Sequence, residues 1–361
     1  MLDALAPVAE RAAVRIPAEH RRPVAIVGAG SIVDVAHLPA YARHGLAVRG
    51  IFDVDAARAR SVAGRHGVPT VYASLDDLLA DPEVSVVDIA VVPWAQPETV
   101  RAGLAAGKHL LCQKPFAPDV ATGRTLVEQA EAAGLAMAVN QQLRFDEGIA
   151  AAHAMARLGW IGEVTTVSYT VDIHTDFSAW DWLVASDHLE IMYHSIHYLD
   201  AVRDLLGDPR LVFGTGSRVP DQGTRGETRT INTLVYDGDV RAVLHVNHNN
   251  RNGDPRAEFR IDGTAGAIRG TLGLLYDYPR GRPDTLEVTS RVLPTDGWLP
   301  YPVTGRWLPD AFAGPMAGLL AAIATGDPAP TAARDNLGTL ALVHALYRSM
   351  DSGTAQAPEP A

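Results

Sequence analysis

Short apolar runs alternate with stretches of helical period from residue 22 to about residue 145. The apolar runs are PVAIVG, LAVRGIFD, VSVVDIAVVP, HLLCQKP and LAMAVNQ, and helical patterns separate most of them. Continuous Val, Ile and Leu runs are typical of strands that are buried on both faces. The alternation therefore predicts a parallel sheet with helices on both faces, in a domain over residues 22–145.

The pattern changes near residue 163, where VTTVSYTVDI alternates with a period of two. Val167, Tyr169, Val171 and Ile173 fall on one face of this predicted strand. The alternation returns in RTINTLVYD, VRAVLHVNH, AEFRIDG and LEVTSRVL, which are separated by turn sequences. We expect an α+β domain over residues 146–352 with a mostly antiparallel sheet that buries one face.

The two ends of the chain carry weaker patterns. Residues 1–21 are expected to form a loosely attached N-terminal arm, and residues 353–361 a frayed tail. Helices at roughly 308–325 and 333–351 close the second domain, and their packing back on the first domain is compatible with the pattern.

Composition narrows the class of protein. The formal net charge of −11 and the sequence pI of about 5.6 give no reason to expect a nucleic acid or an anionic membrane as partner. The single cysteine, Cys112, excludes an internal disulfide framework and a zinc cluster built from cysteines. The N-terminus lacks the basic-then-apolar order of a signal peptide, so we expect a cytoplasmic protein.

The sequence VAIVGAGSIVD places glycines between the first predicted strand and a helix. Gly28 permits the tight turn, and Gly30 lets the backbone approach a pyrophosphate. The helix start at Ser31 and Ile32 supplies N–H donors for the anion, although Val33 stands where a third glycine or alanine is usual. In this context the motif predicts a Rossmann dinucleotide-binding domain.

Asp53 ends the second strand, 25 residues after Gly28 (53 − 28). An acid at this distance binds the adenosine ribose hydroxyls, and its charge repels a 2′-phosphate, so NAD is favoured over NADP. The alternative is an ordinary strand-to-helix turn in which an Asp caps the next helix. We also assign Pro93, which ends the third apolar run, and Trp94, which follows it, to cofactor binding.

The segment AAGKHLLCQKPFAPDV, with NQQLRFDEG, GWIGEV and GTAGAIRG, resembles the glucose–fructose oxidoreductase/inositol dehydrogenase (Gfo/Idh/MocA-type) family over residues 22–352. The resemblance implies an N-terminal Rossmann domain and a second domain on a large open sheet. It also implies redox chemistry on sugars, cyclitols or related polyols, and a homodimer or homotetramer formed through that sheet. The family's Glu-Lys-Pro signature is Gln113-Lys114-Pro115 here.

Lys114 is the first candidate catalytic residue. It follows a parallel strand at the carboxyl end, where open α/β sheets bind ligands. Its ammonium can hydrogen-bond a substrate hydroxyl and stabilise the oxygen as hydride leaves the carbon. Gln113, also assigned to cofactor binding together with Lys114, removes a negative charge that would hold the ammonium protonated. The alternative is a solvated lysine at the start of a loop.

The segment EIMYHSIHYLD, residues 190–200, carries the second catalytic candidate. The family has an Asp and a His four apart on a helix, and the resemblance aligns the His with His197 and the Asp with Tyr193. We expect His197 to act as general base, Tyr193 as its partner and His194 in substrate binding. Each could instead be a satisfied core or surface group.

Three further ideas concern polar side chains near these candidates. A metal site formed by Glu190, His194 and His197 has no other support, so we expect no metal. Asp176 and Trp180, in DIHTDFSAWDW, suit a polyol, although an interface loop is the alternative. Arg144 is a candidate for substrate binding, with an inter-domain ion pair as its alternative.

The sequence therefore predicts an NAD-dependent oxidoreductase that transfers hydride between nicotinamide and a secondary alcohol of a sugar, glycoside or cyclitol. Two rivals remain: a redox-neutral lyase or glycosidase that keeps NAD bound, and a non-catalytic sensor on the same scaffold. The missing Asp at position 193 keeps the first rival open. Lys114 and His197 argue against the second.

Overall fold

A computed structural model of the chain describes residues 2–294 and 296–360, with side chains described from residue 5 onward. The chain divides into two compact units. The first unit comprises residues 14–145 and 308–337, and the second comprises residues up to 13, 146–307 and 338–360.

The first unit contains a six-stranded sheet of order β3-β2-β1-β4-β5-β6, in which every pairing is parallel. Its strands are β1 (Val24–Val27), β2 (Val48–Phe52), β3 (Thr70–Val71), β4 (Val86–Ile89), β5 (His109–Cys112) and β6 (Met137–Val139). All residues of β1 and β4 are buried, as the continuous apolar runs predicted. The order reverses between β1 and β4, so their carboxyl ends open on the crevice where such sheets bind ligands.

The second unit contains an eight-stranded sheet of order β14-β13-β12-β11-β7-β10-β9-β8. Its strands are β7 (Val164–Asp172), β8 (Leu211–Ser217), β9 (Arg229–Val235), β10 (Arg241–Asn247), β11 (Arg256–Gly263), β12 (Gly266–Thr271), β13 (Leu286–Ser290) and β14 (Leu299–Tyr301). Only the pairing of β7 with β10 is parallel within the described residues. Val167, Tyr169 and Val171 are buried while the intervening residues of β7 are partly exposed. The predicted fold class is confirmed.

Helices complete both units. They are α1 (Leu2–Ala12), α2 (Leu38–Arg43), α3 (Ala56–His66), α4 (Leu75–Ala80), α5 (Gln96–Ala105), α6 (Val120–Ala132), α7 (Glu147–Arg157), α8 (Asp181–Val184), α9 (Ile196–Leu206), α10 (Ala313–Thr325) and α11 (Ala333–Ser352). Helix α10 packs on β5 and β6 of the first unit. No helix within the described ranges is long and apolar enough to cross a lipid bilayer.

The two chain ends differ from the sequence expectation. Helix α1 packs on α7 and buries Val8 and Ala12, so this part of the expected arm is attached through its apolar face. In the expected frayed tail, Gln356 pairs with Val212 through hydrogen bonds of 2.7 and 2.8 Å. Because β8 is the edge strand of its sheet, this bridge satisfies backbone groups that would otherwise lack a neighbour.

Candidate functional site

The phosphate loop lies between β1 and a helix, and its two glycines have different surroundings. Gly28 has a φ of 107°, and a Cβ there would lie 2.3 Å from the Ala90 carbonyl oxygen. A Cβ at Gly30 would meet nothing within 4 Å. The first glycine is therefore required by the turn, and the second leaves open space above the backbone. This arrangement fits a dinucleotide pyrophosphate.

The helix after the loop begins at Ser31 and contains a π-helical turn over Val33–His37. Val33, at the position of the usual third glycine, is buried and begins this turn. Its N–H donates to the Gly30 carbonyl over 3.1 Å. Ser31 is exposed and Ile32 is half-buried, so both lie at the accessible start of the helix, as their predicted role requires.

Asp53 holds the loop from the end of β2. Its Oδ2 accepts the Ala29 N–H over 2.7 Å, and its Oδ1 accepts the Asp55 N–H over 2.8 Å. The helix cap that was the alternative for Asp53 is provided by Asp55, which accepts from the N–H groups of Ala57 and Arg58 at 3.1 Å. Asp53 is thus placed beside the loop, at the edge of the sheet where a ribose would lie.

Pro93 and Trp94 lie in the turn between β4 and α5. Pro93 is half-buried, and the Trp94 side chain is 67% exposed. Because β4 neighbours β1, this turn follows the strand end next to the phosphate loop. Both residues keep their predicted role in cofactor binding as a proposal.

Lys114 follows β5 and is half-buried. Gln113 Oε1 accepts the Lys114 N–H over 2.9 Å, and the buried Gln96 amide donates to the carbonyls of Gln113 and Pro115 at 2.6 and 2.7 Å. These bonds fix the backbone that carries the lysine. Burial lowers the pKa of Lys114 from 10.5 to about 8, which makes its proton easier to exchange near neutral pH.

A buried hydrogen-bond network that sequence reasoning missed lies beside this segment. His37 Nδ1 is 2.6 Å from Asp88 Oδ2, which also accepts the Tyr41 hydroxyl over 2.6 Å. The Gln113 and Asn140 amide nitrogens lie 3.3 Å from His37 Nε2. An imidazole that donates through Nδ1 accepts through Nε2. An amide at position 113 can donate to that nitrogen, whereas the family's glutamate would present a second acceptor.

In the second unit, a π-helical turn over Ile191–Ser195 runs directly into α9. The Tyr193 ring packs edge-on against Trp182 at 5.1 Å, and the buried His197 ring packs edge-on against Trp307 at 5.6 Å. Burial raises the pKa of Tyr193. The two predicted catalytic side chains of this helix therefore have different aromatic neighbours.

His194 lies with Glu190 and His248. Its Nδ1 is 3.4 Å from Glu190 Oε1, and its ring centroid is 4.5 Å from that of His248. Burial raises the pKa of Glu190 and lowers that of His248 to about 3. The cluster considered from the sequence is corrected here, because His248 rather than His197 joins the other two. The π-helical turn changes the α-helical spacing on which that expectation depended.

His248 is the residue that the sequence could have indicated. In VRAVLHVNH, the period of two places Ala242, Leu244, Val246 and His248 on the same face. The three apolar residues are fully buried, so a histidine that continues this face is predicted to be a buried polar group.

Asp176 and Trp180 have local contacts in the structure. Asp176 is exposed, and its Oδ1 accepts the Ser178 N–H over 2.9 Å at the start of a short 3₁₀ turn. The Trp180 ring lies 6.4 Å from Tyr278. Thr175 and Phe177 of this segment contact His248 of the histidine cluster. Asp176 caps the short turn, and its role in substrate binding stays a prediction.

Arg144 forms an ion pair within the first unit. Its guanidinium pairs with Asp335 at 2.8 Å and donates to the Pro330 carbonyl over 2.9 Å, with the side chain only 7% exposed. Both partners belong to the first unit. This ion pair lies inside one unit and is therefore not an inter-domain one, and the role of Arg144 in substrate binding stays a prediction.

Comparison with known proteins identifies the family. Residues 22–141 match an oxidoreductase family with an NAD-binding Rossmann fold, and residues 120–269 match the C-terminal domain of the same GFO/IDH/MocA family. The chain belongs to the GFO/IDH/MocA oxidoreductase family. This membership confirms the resemblance stated above and the expectation that the protein is an oxidoreductase enzyme.

Relatives with a named activity match most of this chain. A D-apiose dehydrogenase of Paraburkholderia graminis is 27% identical over 318 residues, which are 86% of this chain and 82% of that protein. A D-xylose 1-dehydrogenase (NADP(+)) of Haloferax volcanii is 24% identical and covers 91% of this chain and 98% of its own. An oxidoreductase of Agrobacterium radiobacter, solved in complex with NAD+, L-tartaric acid and magnesium, has a TM-score of 0.83 and 24% identity, with 93% and 98% of the chains covered.

Proposed function

We propose that this protein is an NAD-dependent dehydrogenase that oxidises a secondary alcohol of a sugar, glycoside or cyclitol. One observation carries the proposal: the Lys114 ammonium, with its pKa lowered to about 8, stands at the carboxyl end of β5 in the sheet that carries the phosphate loop. A partly buried lysine at that edge is suited to polarise a hydroxyl oxygen. Bound NAD would supply the acceptor for hydride.

The chain's own residues have defined roles in this proposal. Lys114 donates a hydrogen bond to the substrate oxygen and stabilises its developing negative charge. His197 accepts the hydroxyl proton, since an imidazole can exchange protons near neutral pH. Tyr193, one turn before it, orients the substrate with its hydroxyl. The Gln96 amide positions the lysine through the carbonyls on either side of it.

The substrate class and the cofactor are supported by different findings. Two of the relatives named above are dehydrogenases of the pentoses D-apiose and D-xylose, which favours a sugar-like polyol. The negative charge of Asp53 beside the phosphate loop favours NAD over NADP. The relative from Haloferax volcanii is named for NADP(+), so the cofactor preference of this chain needs its own measurement.

The test is a screen of pentoses, hexoses, glycosides and inositols with NAD⁺ and with NADP⁺, following the absorbance of the reduced nucleotide. We expect turnover with at least one of these alcohols and a preference for NAD⁺. In Lys114→Met, kcat should fall by at least about a hundredfold, the size of effect seen when a preorganised donor is lost. Lys108→Arg is the matched control, because Lys108 binds the Asp81 and Val84 carbonyls away from the proposed site.

The redox-neutral alternative has a specific observation in its favour, because Tyr193 stands where the family has an Asp. A lyase or glycosidase would cleave a glycoside without net formation of NADH. Cleaved product without reduced nucleotide would therefore overturn the dehydrogenase proposal in favour of that alternative. Full activity of Lys114→Met would overturn the proposed role of the lysine.

A further inference from the structure

Three metal-ligating side chains converge in the second unit. Glu190 and His194 come from the π-helical segment before α9, and His248 follows β10. One ligand atom from each, a carboxylate oxygen or an imidazole nitrogen, lies within 4.8 Å of the other two. Residues from two separate elements thus bring a carboxylate and two imidazoles to one point.

His248 shows which of its nitrogens is available. Its Nδ1 lies 2.8 Å from the Thr175 hydroxyl, which fixes the ring orientation. Its Nε2 is buried and finds no hydrogen-bond partner among the residues that the structure describes. A buried polar atom without a partner costs free energy unless a ligand satisfies it. This nitrogen is the atom that would face an ion.

Glu190 is fully buried and is oriented by two hydroxyl groups. The Ser195 hydroxyl donates to its Oε1 over 2.5 Å, and the Thr230 hydroxyl donates to its Oε2 over 2.6 Å. Each carboxylate oxygen has a further lone pair. Hydrogen bonds from a surrounding shell to the ligands are what fix ligand orientation in known metal sites.

His194 closes the cluster on its accessible side. Its side chain is 22% exposed, and its two nitrogens lie 3.4 Å from Glu190 Oε1 and 3.3 Å from the Tyr198 hydroxyl. The other two members are almost completely buried. An ion held by the three would therefore have its open coordination position on the side of His194.

We propose that Glu190, His194 and His248 form a binding site for one divalent transition-metal ion, with zinc as the ion to test. Two imidazoles and one carboxylate with an open fourth position are the donor set of catalytic zinc sites, and the same donors bind other divalent metals. With ligands about 2.1 Å from zinc, neighbouring donor atoms lie roughly 3.4 Å apart. Closing the cluster around an ion therefore requires only small side-chain movements. This site neither depends on the dehydrogenase proposal nor uses His197, and it replaces the expectation of no metal.

The experiment uses the full-length protein, freed of metal by dialysis against a chelator. Zn²⁺ is titrated by calorimetry, and Co²⁺ by its visible absorption. We expect one ion per chain, and Co²⁺ bands of a four- or five-coordinate nitrogen and oxygen site. His248→Ala and Glu190→Gln should weaken binding by at least about a hundredfold, because even changes in the surrounding shell cost about 10- to 100-fold.

His245→Ala is the matched control, since His245 lies three residues earlier at an exposed position of β10. It should bind Zn²⁺ like the wild type. X-ray absorption of the wild type with zinc keeps the test independent of variant folding, and we expect two imidazoles in the coordination shell. The proposal is overturned if the wild type binds no stoichiometric ion, if the shell contains no imidazole, or if His248→Ala binds as tightly as the wild type.

Discussion

The burial of Lys114 changes its pKa, and the pKa decides at which pH the side chain is an ammonium. Burial penalises the ammonium form, so the lysine loses its proton at lower pH than a solvated lysine does. Lys108 and Lys114 are the two lysines of the chain. Reductive methylation with ¹³C-formaldehyde therefore gives a simple NMR spectrum. We predict that one lysine resonance titrates with a midpoint near pH 8, the pKa of about 8 that burial gives Lys114.

The assignment of that resonance comes from Lys114→Arg, in which the titration near pH 8 should disappear. A titration of Lys114 with a midpoint near the ordinary lysine value, about 10.4, would contradict the account. In that case the side chain would be solvated, which is the alternative considered from the sequence.

Asp53 carries the prediction on cofactor choice. In Asp53→Asn the negative charge is lost while an oxygen acceptor remains, so the loop can keep one of its two bonds. We expect the Kd for NAD⁺ to rise about tenfold, because hydrogen bonds to charged groups contribute about 1.5–3 kcal/mol. The discrimination against NADP⁺ should fall as repulsion of the 2′-phosphate is removed. Calorimetric titration with both nucleotides measures this.

Asp55→Asn is the matched control, because Asp55 caps α3 two positions further on. It should leave the ratio of the two Kd values unchanged. An unchanged ratio in Asp53→Asn, or a preference of the wild type for NADP⁺, would contradict the role of Asp53.

The role of a residue could be predicted from sequence only where its interaction partners lie nearby along the chain. The positions of Gly28, Gly30 and Asp53 follow from a local motif, and the structure places them around one loop. Arg144 could not be assigned in this way, because its partner Asp335 is 191 positions away. Nothing in a single sequence links two such distant charges.

At the scale of elements, the turn between β1 and the following helix has room for a side chain at position 30 but not at position 28. Gly28→Ala should destabilise the protein by about 2 kcal/mol or more, because a positive φ and a close backbone contact both oppose a Cβ. Gly30→Ala meets open space, so it should unfold at the wild-type temperature. It should nevertheless weaken dinucleotide binding, since its Cβ would occupy the space that a pyrophosphate needs.

Thermal unfolding and nucleotide titration of the two variants measure these effects separately. Equal destabilisation by both substitutions would contradict the geometry of the loop. Wild-type affinity for NAD⁺ in Gly30→Ala would contradict the proposed position of the pyrophosphate.

Asp146, which caps α7, and Asp284, which lies just before β13, form a buried pair of carboxyl groups. Burial raises the pKa of both, and the proximity of Asp284 raises that of Asp146 further. Their folded-state pKa values lie above the unfolded values, so their contribution to stability is greatest at acid pH and is lost as pH rises. Asp284→Asn keeps an oxygen acceptor for the Gly273 N–H and removes the charge.

We therefore predict that Asp284→Asn raises the unfolding temperature by about 3 °C at pH 8, corresponding to about 1 kcal/mol. The increase in unfolding temperature should be smaller at pH 5. Asp237→Asn, at a side chain that is 94% exposed, is the control and should change little at either pH. A larger gain at pH 5 than at pH 8 would contradict the raised pKa values.

Element types could be predicted well, but their irregularities could not. Both π-helical turns, at Val33–His37 and Ile191–Ser195, lie in candidate site helices. Hydrophobic periodicity assumes regular spacing, so it cannot detect an added residue in a turn. Helical periodicity predicts that His194 and His197 lie on one face, and it gives no information on His248, which follows a separate strand.

At the scale of the whole molecule, alternation of apolar patterns was sufficient to predict a parallel sheet followed by a mostly antiparallel one. The contacts of the chain ends could not be predicted, because their partners, helix α7 and edge strand β8, are far away in sequence. The cytoplasmic location and the homodimer or homotetramer stay predictions.

The central claim is that hydride leaves a carbinol carbon of the substrate and remains on the nicotinamide that the enzyme releases. The most direct measurement uses the best substrate of the screen, deuterated at the carbon that is oxidised. We predict that the deuterium appears at C4 of the reduced nucleotide in solution, with a slower rate when hydride transfer limits turnover. Deuterium that is found in the organic product, with no labelled reduced nucleotide in solution, would contradict the account.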